Sequence, residues 1–400
     1  MKIKIFFVLI LSVLFCGAAL AGPGVKDFSN FKRIPVLDNG RLKPLDTFAR
    51  CLLTQFSGKD HYEKQEAAAW LALLFFNPEA GLKDKIFLIN NPDIATALGI
   101  PPQQDRRYTP QQLQQDFPKL AELQEAAAKI PEKERSVAEA EMMRVFDNIN
   151  FYTDLSRSLT VIPSSQDGEW LSLWAAVSTD FGHEQTQRLL MLWGQMAVSY
   201  KRGNDTAFNE AARSYLNSVR YALSKADLKK VDKFPLELFY QESSPFTWSI
   251  VFYIFAFIFF MVSFTSSKPF WYNLGLVSIV AGFIPHGLGL LMRIIIMARP
   301  PVSSLYETFI FVGFITVLLG LMIEYYNRQW LGIVTAAISG TALLFIANKY
   351  SAEGDTLKVL VAVLNSNFWL ATHVTTITMG YAATWVGGPL RPYLAAASNL

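Results

Sequence analysis

Apolar positions recur at two different rhythms along this chain. Before about residue 245 they return every three or four residues, and after it they run almost without interruption. Met142, Val145, Phe146, Ile149, Tyr152, Leu155 and Leu159 mark one face of a long helix. Phe208, Ala211, Tyr215, Leu216, Val219 and Leu223 mark another. Glu66 to Phe76 predicts an apolar helix stopped by Asn77-Pro78, and Thr109-Pro110 a capped start with proline in its first turn. Ahead of these, Arg33-Ile34-Pro35-Val36-Leu37-Asp38-Asn39-Gly40 reads as extended chain entering an Asn-Gly turn. Asp46 suits the N-cap of a helix through Phe48, Leu52 and Leu53. Strand signals are few, so this half predicts an all-α domain of about six helices with an extended entry segment.

The continuous apolar half holds five stretches of membrane-spanning length, about 20 residues as helix. They are roughly Phe246–Thr265, Trp271–Met297, Ser303–Ile323, Trp330–Ala347 and Phe368–Val386. The predicted fold class is therefore all-α: a soluble helical domain followed by a polytopic α-helical membrane region of about five spans. At the front, Lys2 and Lys4, the apolar run Ile5 to Phe15 and Ala19-Leu20-Ala21 form a secretory signal peptide too short to be a span. This predicts a signal over 1–21, an exported helical domain over 22–245 and a membrane region over 246–400. The exported domain then lies outside. The link at Lys268, the turn at Arg328 and the C-terminus with Arg391 lie inside. Arg293, Arg299, Lys349 and Lys358 fall at or beyond the outer face, so the orientation rests on the signal rather than on positive charge.

Composition narrows the function classes. The chain of 400 residues is 52% hydrophobic and 17% charged, with a net charge of +3 and no long basic run, which argues against nucleic-acid binding. Phe15 before Cys16 fits a lipidation site poorly. Beyond the signal only Cys51 remains, which makes no internal disulfide, redox pair or structural zinc site. There is no C-x-x-C-H, so the chain is not itself a c-type cytochrome. His61 and His183 stand without a partner at metal-binding spacing and read as ordinary histidines.

Ionisable residues inside spans are costly and draw attention first. His286 follows Pro285 in the second span, with Arg293 two turns further on the same face. His286 reads either as a functional group or as a histidine bonded to a carbonyl freed by the proline kink. In Pro301-Val302-Ser303-Ser304-Leu305-Tyr306-Glu307-Thr308 a serine caps a helix whose first turns hold Glu307. That is a well-built helix start or an external anchor for a ligand or neighbouring helix. His373 stands about one and a half turns inside the fifth span, with Trp369 and Ile377 four residues to either side. An imidazole beside an aromatic at an interface suits haem, and equally an interfacial tryptophan belt with a packed histidine.

Leu364 to Tyr381, LNSNFWLATHVTTITMGY, resembles the segment that carries the first external histidine of the cytochrome c assembly family, the CcsA/ResC branch of the system II haem lyases. The stretch from His286 through Arg293 to Thr308 resembles the early spans of that family, with its P-x-S-N-x-Y-E-S type motif. Ser304 stands for the usual asparagine and Thr308 for the usual serine. IPVLDNGRLKPLDTFAR, Ile34 to Arg50, is similar to the extension preceding the CcsA part in longer members. The resemblance implies c-type cytochrome biogenesis, with haem handled at the outer face of a bacterial cytoplasmic membrane and joined to apocytochrome c. It implies His373 as an external haem axial ligand, Trp369 packing on the macrocycle, and His286 as a second candidate of uncertain role there, as haem ligand or kink residue. Arg293, Tyr306 and Glu307 fall in the shared motif. A ResB/CcsB-like membrane subunit is the implied partner. This sequence lacks the family's tryptophan-rich W-G-x-x-W-x-W-D loop and its later histidines, as a C-terminally truncated or split member would. The residues alone also admit a b-type haem anchor, or a transporter or sensor with an exported ligand-binding domain.

Overall fold

The computed structural model describes residues 24–115, 117–164, 169–265, 269–328, 330–351, 354–357, 372–373 and 375–384. The predicted signal peptide lies outside them, as do Trp369 and both ends of the fifth predicted span. The chain resolves into two compact units. One comprises the residues up to Pro35 together with Tyr62–Leu223, and the other Val36–His61 together with Ser224 onward.

The first unit is helical, as its periodicity predicts. Its longest described helix, Val137–Ser158, starts at a reciprocal cap: Ser136 accepts from the Glu139 backbone N–H while Glu139 accepts from that of Ser136. The helices Glu184–Lys201 and Asp205–Ala222 pack together. Between them and Ala67–Phe76 lies an aromatic core of Phe28, Phe31, Phe76, Trp193 and Phe208 with edge-on and tilted rings. The Tyr215 hydroxyl, fully buried there, donates to the Val161 carbonyl at 3.1 Å, which satisfies its polar end. His183 faces a carboxylate of its own segment, Asp180, and in the second unit His61 faces Asp60. The strands described in the protein are all short, none exceeding four residues.

The second unit opens with a hairpin. Strands β1 (Pro35–Asp38) and β2 (Arg41–Pro44) are joined by Asn39 at φ 49° and Gly40 at φ 74°. Two successive left-handed residues make the turn whose twist matches a hairpin, and Asn-Gly tolerates it best. Helix α1 follows directly (Leu45–Ser57) and ends at Gly58, also left-handed. Asp46 stands inside the first turn rather than at the cap; its carboxylate is buried and accepts from the Arg50 Nε at 2.7 Å, one turn along.

After α2 (Lys225–Val231) and α3 (Phe234–Ser243), four helices among the described residues are long and apolar enough to cross a membrane. They are α4 (Pro245–Ser263), α5 (Pro269–Met297), α6 (Leu305–Asn327) and α7 (Leu331–Ser351). Their bounds follow the predicted spans within a few residues. Residues 375–384 of the fifth predicted span are also helical. Among the described helices α4 packs on α5 and α7, and α6 on α7. Short links set neighbours antiparallel. Residues near Pro245, Met297, Leu305 and Ser351 therefore gather at one end of the bundle, called here the network end. Ser263, Pro269, Asn327 and Leu331 mark the other, the turn end.

Small residues let α6 and α7 approach closely. A side chain added at Gly332 would stand 2.1 Å from the Gly320 carbonyl oxygen, and one added at Gly340 2.7 Å from Val317. At the turn end Glu324, buried on α6, accepts from the backbone N–H groups of Trp330, Gly332 and Ile333 at 3.0–3.3 Å and from the Tyr272 hydroxyl at 2.7 Å. The α6 carboxylate thus satisfies the free donors at the start of α7, where a negative charge is favoured.

Candidate functional site

The network end is built around Arg293. The last turns of α5 carry it inward, and its guanidinium is 1% exposed. Nη2 donates to Glu307 Oε1 at 2.8 Å and to the Thr356 carbonyl at 2.6 Å. Nη1 donates to the Tyr240 hydroxyl at 3.0 Å and to Thr356 Oγ1 at 3.2 Å. The planar fork also stacks over the Tyr306 ring, 4.9 Å from its centroid. One side chain therefore ties α3, α5, α6 and the loop 354–357. Glu307 is held in turn by the local fold. Ser304 caps α6 by accepting the Glu307 N–H, and Ser303 donates its N–H to Glu307 Oε2 at 3.0 Å. Arg299 adds a second cation 3.8 Å from Glu307.

Beside this pair the hairpin contributes two more cations. Arg41 bonds to buried Glu237 of α3, and lies 3.7 Å from Asp355. Lys43, 1% exposed, bonds to Asp355 and, at 2.8 Å, to Asp38. Burial works against charge on both partners of the Lys43–Asp355 pair. It nonetheless titrates above the ordinary range at Lys43, where the neighbouring carboxylates Asp355 and Asp38 act together against burial, and below it at Asp355, where Lys43 and Arg41 do. Close by, burial pushes the Cys51 thiol up, away from the reactive thiolate. Four cations (Arg41, Lys43, Arg293, Arg299) thus face four carboxylates (Asp38, Glu237, Glu307, Asp355).

His286 lies deeper, two turns below Arg293 and fully buried. Its Nε2 is 3.0 Å from the Ile310 carbonyl of α6, and its Nδ1 3.0 Å from the Tyr253 hydroxyl of α4. A carbonyl only accepts, so Nε2 carries the proton and Nδ1 accepts from Tyr253. The partner is a carbonyl of the neighbouring span rather than one released by Pro285 in its own helix. Phe246, Tyr253 and Phe314 surround the ring. Neutral imidazole here ties three spans, and neither nitrogen keeps a lone pair for a metal. Tyr253→Phe deletes the donor to Nδ1 and strands a buried acceptor. We expect a loss of about 1–3 kcal/mol, read as a lower melting temperature in detergent.

His373 is placed differently. It stands in a short helical turn, its side chain exposed, and no described group hydrogen-bonds its ring. Ile377 and Tyr381, one and two turns on, are exposed as well. The structure therefore brings Arg293, Tyr306 and Glu307 together, keeps His286 in the bundle interior, and gives His373 no hydrogen bond or ion pair with any of them. Among the described residues no three His, Cys, Asp or Glu side chains converge to hold a metal ion. Tyr240, Glu237, Thr356, Asp355, Arg41 and Lys43 carry no individual signal in the sequence. Apart from Asp38 beside Lys43, their partners lie far away along the chain, and only the Ile34–Arg50 stretch stands out there, as a resemblance.

Fold and site define a multi-pass α-helical membrane protein with a large soluble helical region and a buried ion-pair network at one end of its bundle. The chain matches no family model. It is similar to the protein NrfI of Wolinella succinogenes, 24% identical over 363 residues, which is 87% of this chain and 39% of that protein. It is also similar to the cytochrome c biogenesis protein CcsA of a Synechococcus species, 33% identical over 119 residues, 30% of this chain and 34% of that protein. The CcsA of a Picosynechococcus species matches 22% of the chain at 35% identity, covering 27% of that protein. The chain thus spans two-fifths or less of the length of these relatives. The likeness is one of distant homology to the CcsA and NrfI proteins.

Proposed function

We propose that this chain acts in c-type cytochrome biogenesis as a CcsA/ResC-branch component that holds haem at the outer face of a bacterial cytoplasmic membrane. Haem is cargo here, on its way to apocytochrome c. The observation that carries this reading is the segment 364–381, which resembles the branch's external-histidine segment and includes the exposed imidazole of His373. An exposed imidazole with apolar neighbours one and two turns away fits an axial ligand of haem. His286, with both nitrogens engaged, does not offer one. A b-type anchor with paired histidines on facing spans accordingly draws less support than a single external ligand.

In this reading the first unit and the network end face outward, and a ResB/CcsB-like subunit works with the chain. Bound haem supplies the iron that binds His373 and the vinyl groups that cytochrome thiols attack. The chain's own part is to present His373 at the interface, with Trp369 four residues before it against the macrocycle, and to hold the spans beneath in one arrangement through Arg293, Tyr306, Glu307 and His286.

Absorption spectroscopy of the full chain purified from membranes tests this. Wild type is expected to carry a haem Soret band, and His373→Ala to lose most of it while keeping its yield and melting temperature. Equal haem occupancy in the two proteins would remove His373 from the role.

A further inference from the structure

The network end contains more charge than a bundle of spans needs to close. Lys43 is the clearest case. Burying an ammonium costs several kcal/mol, which only good partners offset. Its partners come from the end of β1, Asp38, and from a loop 312 residues further on, Asp355. Asp355 also shapes that loop, because its Oδ1 accepts the Leu357 N–H at 2.8 Å. Next to it Thr356 is gripped through both its carbonyl and its hydroxyl by Arg293, and Leu357 is fully buried. Loop 354–357 is therefore docked from two sides, by the spans through Arg293 and by the hairpin through Lys43 and Arg41.

We propose that Arg41 and Lys43 are positioning residues: they clamp Asp355, and with it loop 354–357, which precedes His373 in the sequence, against the network end. The hairpin is thus a working part of the membrane unit. Its bearing on haem rests on the function proposed above, whereas the clamp itself does not. Clamping fixes Asp355, 18 residues before His373 in the sequence, and a chain held near a ligand residue gives up less freedom when that residue binds.

Two readouts on the full chain separate these layers. The first uses Leu357→Cys in a chain whose Cys16 and Cys51 are alanine, labelled with a membrane-impermeant maleimide. With the clamp intact, labelling is expected to be slow. Lys43→Met should accelerate it at least tenfold, and Lys43→Arg, which keeps the cation, should not. Asp355→Asn opens the same clamp from the loop side without altering the hairpin, so a hairpin that fails to fold in Lys43→Met cannot imitate the result. Unchanged labelling in both Lys43→Met and Asp355→Asn overturns the clamp. The second readout is the Soret band of the same variants without the cysteine. Lys43→Met should lower haem retention severalfold and Lys43→Arg restore it. Faster labelling with undiminished haem would overturn the positioning role. A wild type that carries no haem would instead sink the haem reading, with the labelling still deciding the clamp.

Discussion

Arg293→Met is expected to lower stability by about 3–5 kcal/mol, the usual cost of leaving a buried charge without its partner. The substitution removes the fork that bonds Glu307, Tyr240 and both polar groups of Thr356. Glu307 stays behind, 1% exposed, with the more distant Arg299 as its remaining cation. Lysine should not rescue it, because a single ammonium cannot reach four acceptors lying in different directions. Thermal unfolding in detergent, followed by tryptophan fluorescence, measures the effect. Arg293→Met combined with Glu307→Gln should recover part of the loss, since no uncompensated charge then remains. A single variant that melts like wild type would show that the pair contributes little.

Gly332→Ala should be nearly as damaging, at about 3 kcal/mol, the upper range for overpacking a tight contact. The added carbon would stand 2.1 Å from the Gly320 carbonyl oxygen and 2.5 Å from the Glu324 backbone nitrogen. Both are backbone atoms of the facing helix, so no rotamer change relieves the clash and α6 must move away from α7. That movement would also pull Glu324 off the N–H groups it satisfies. Gly194→Ala is the control. It lies within the helix Glu184–Lys201, has open space where a side chain would go, and should gain up to about 1 kcal/mol from helix propensity. A melting temperature raised at Gly194 and lowered at Gly332 is the expected pattern. Equal shifts would mean that helix propensity, rather than close approach, governs both sites.

The membrane helices are legible in the sequence because an apolar run of spanning length has few other fates, and the structure places α4 to α7 within a few residues of the runs. Ser304 and Glu307 are legible too, since a helix cap is local chemistry. His286 is legible as unusual but not in its bonding. Its two partners come from other spans, and sequence spacing carries no information about which neighbour a helix face meets. Glu324 draws no notice in the sequence because a carboxylate near a short turn looks like an ordinary surface charge. Its N–H partners on α7 give it a role that only the fold reveals. The same holds for Lys43 and Asp355. Each reads as a solvated residue in a polar stretch, and burial makes sense of one only when the other is in view.

The two ends of the bundle differ in how far apart in the chain their partners lie. Glu324 meets its backbone partners six to nine residues later, so the α6–α7 turn closes as soon as both helices exist. Lys43 meets Asp355 only after 312 further residues have been made. For a chain synthesised from its N-terminus, Lys43 has Asp38 beside it at once but must wait through the whole soluble unit and four spans for Asp355. The turn end is thus an early event in assembly and the network end a late one.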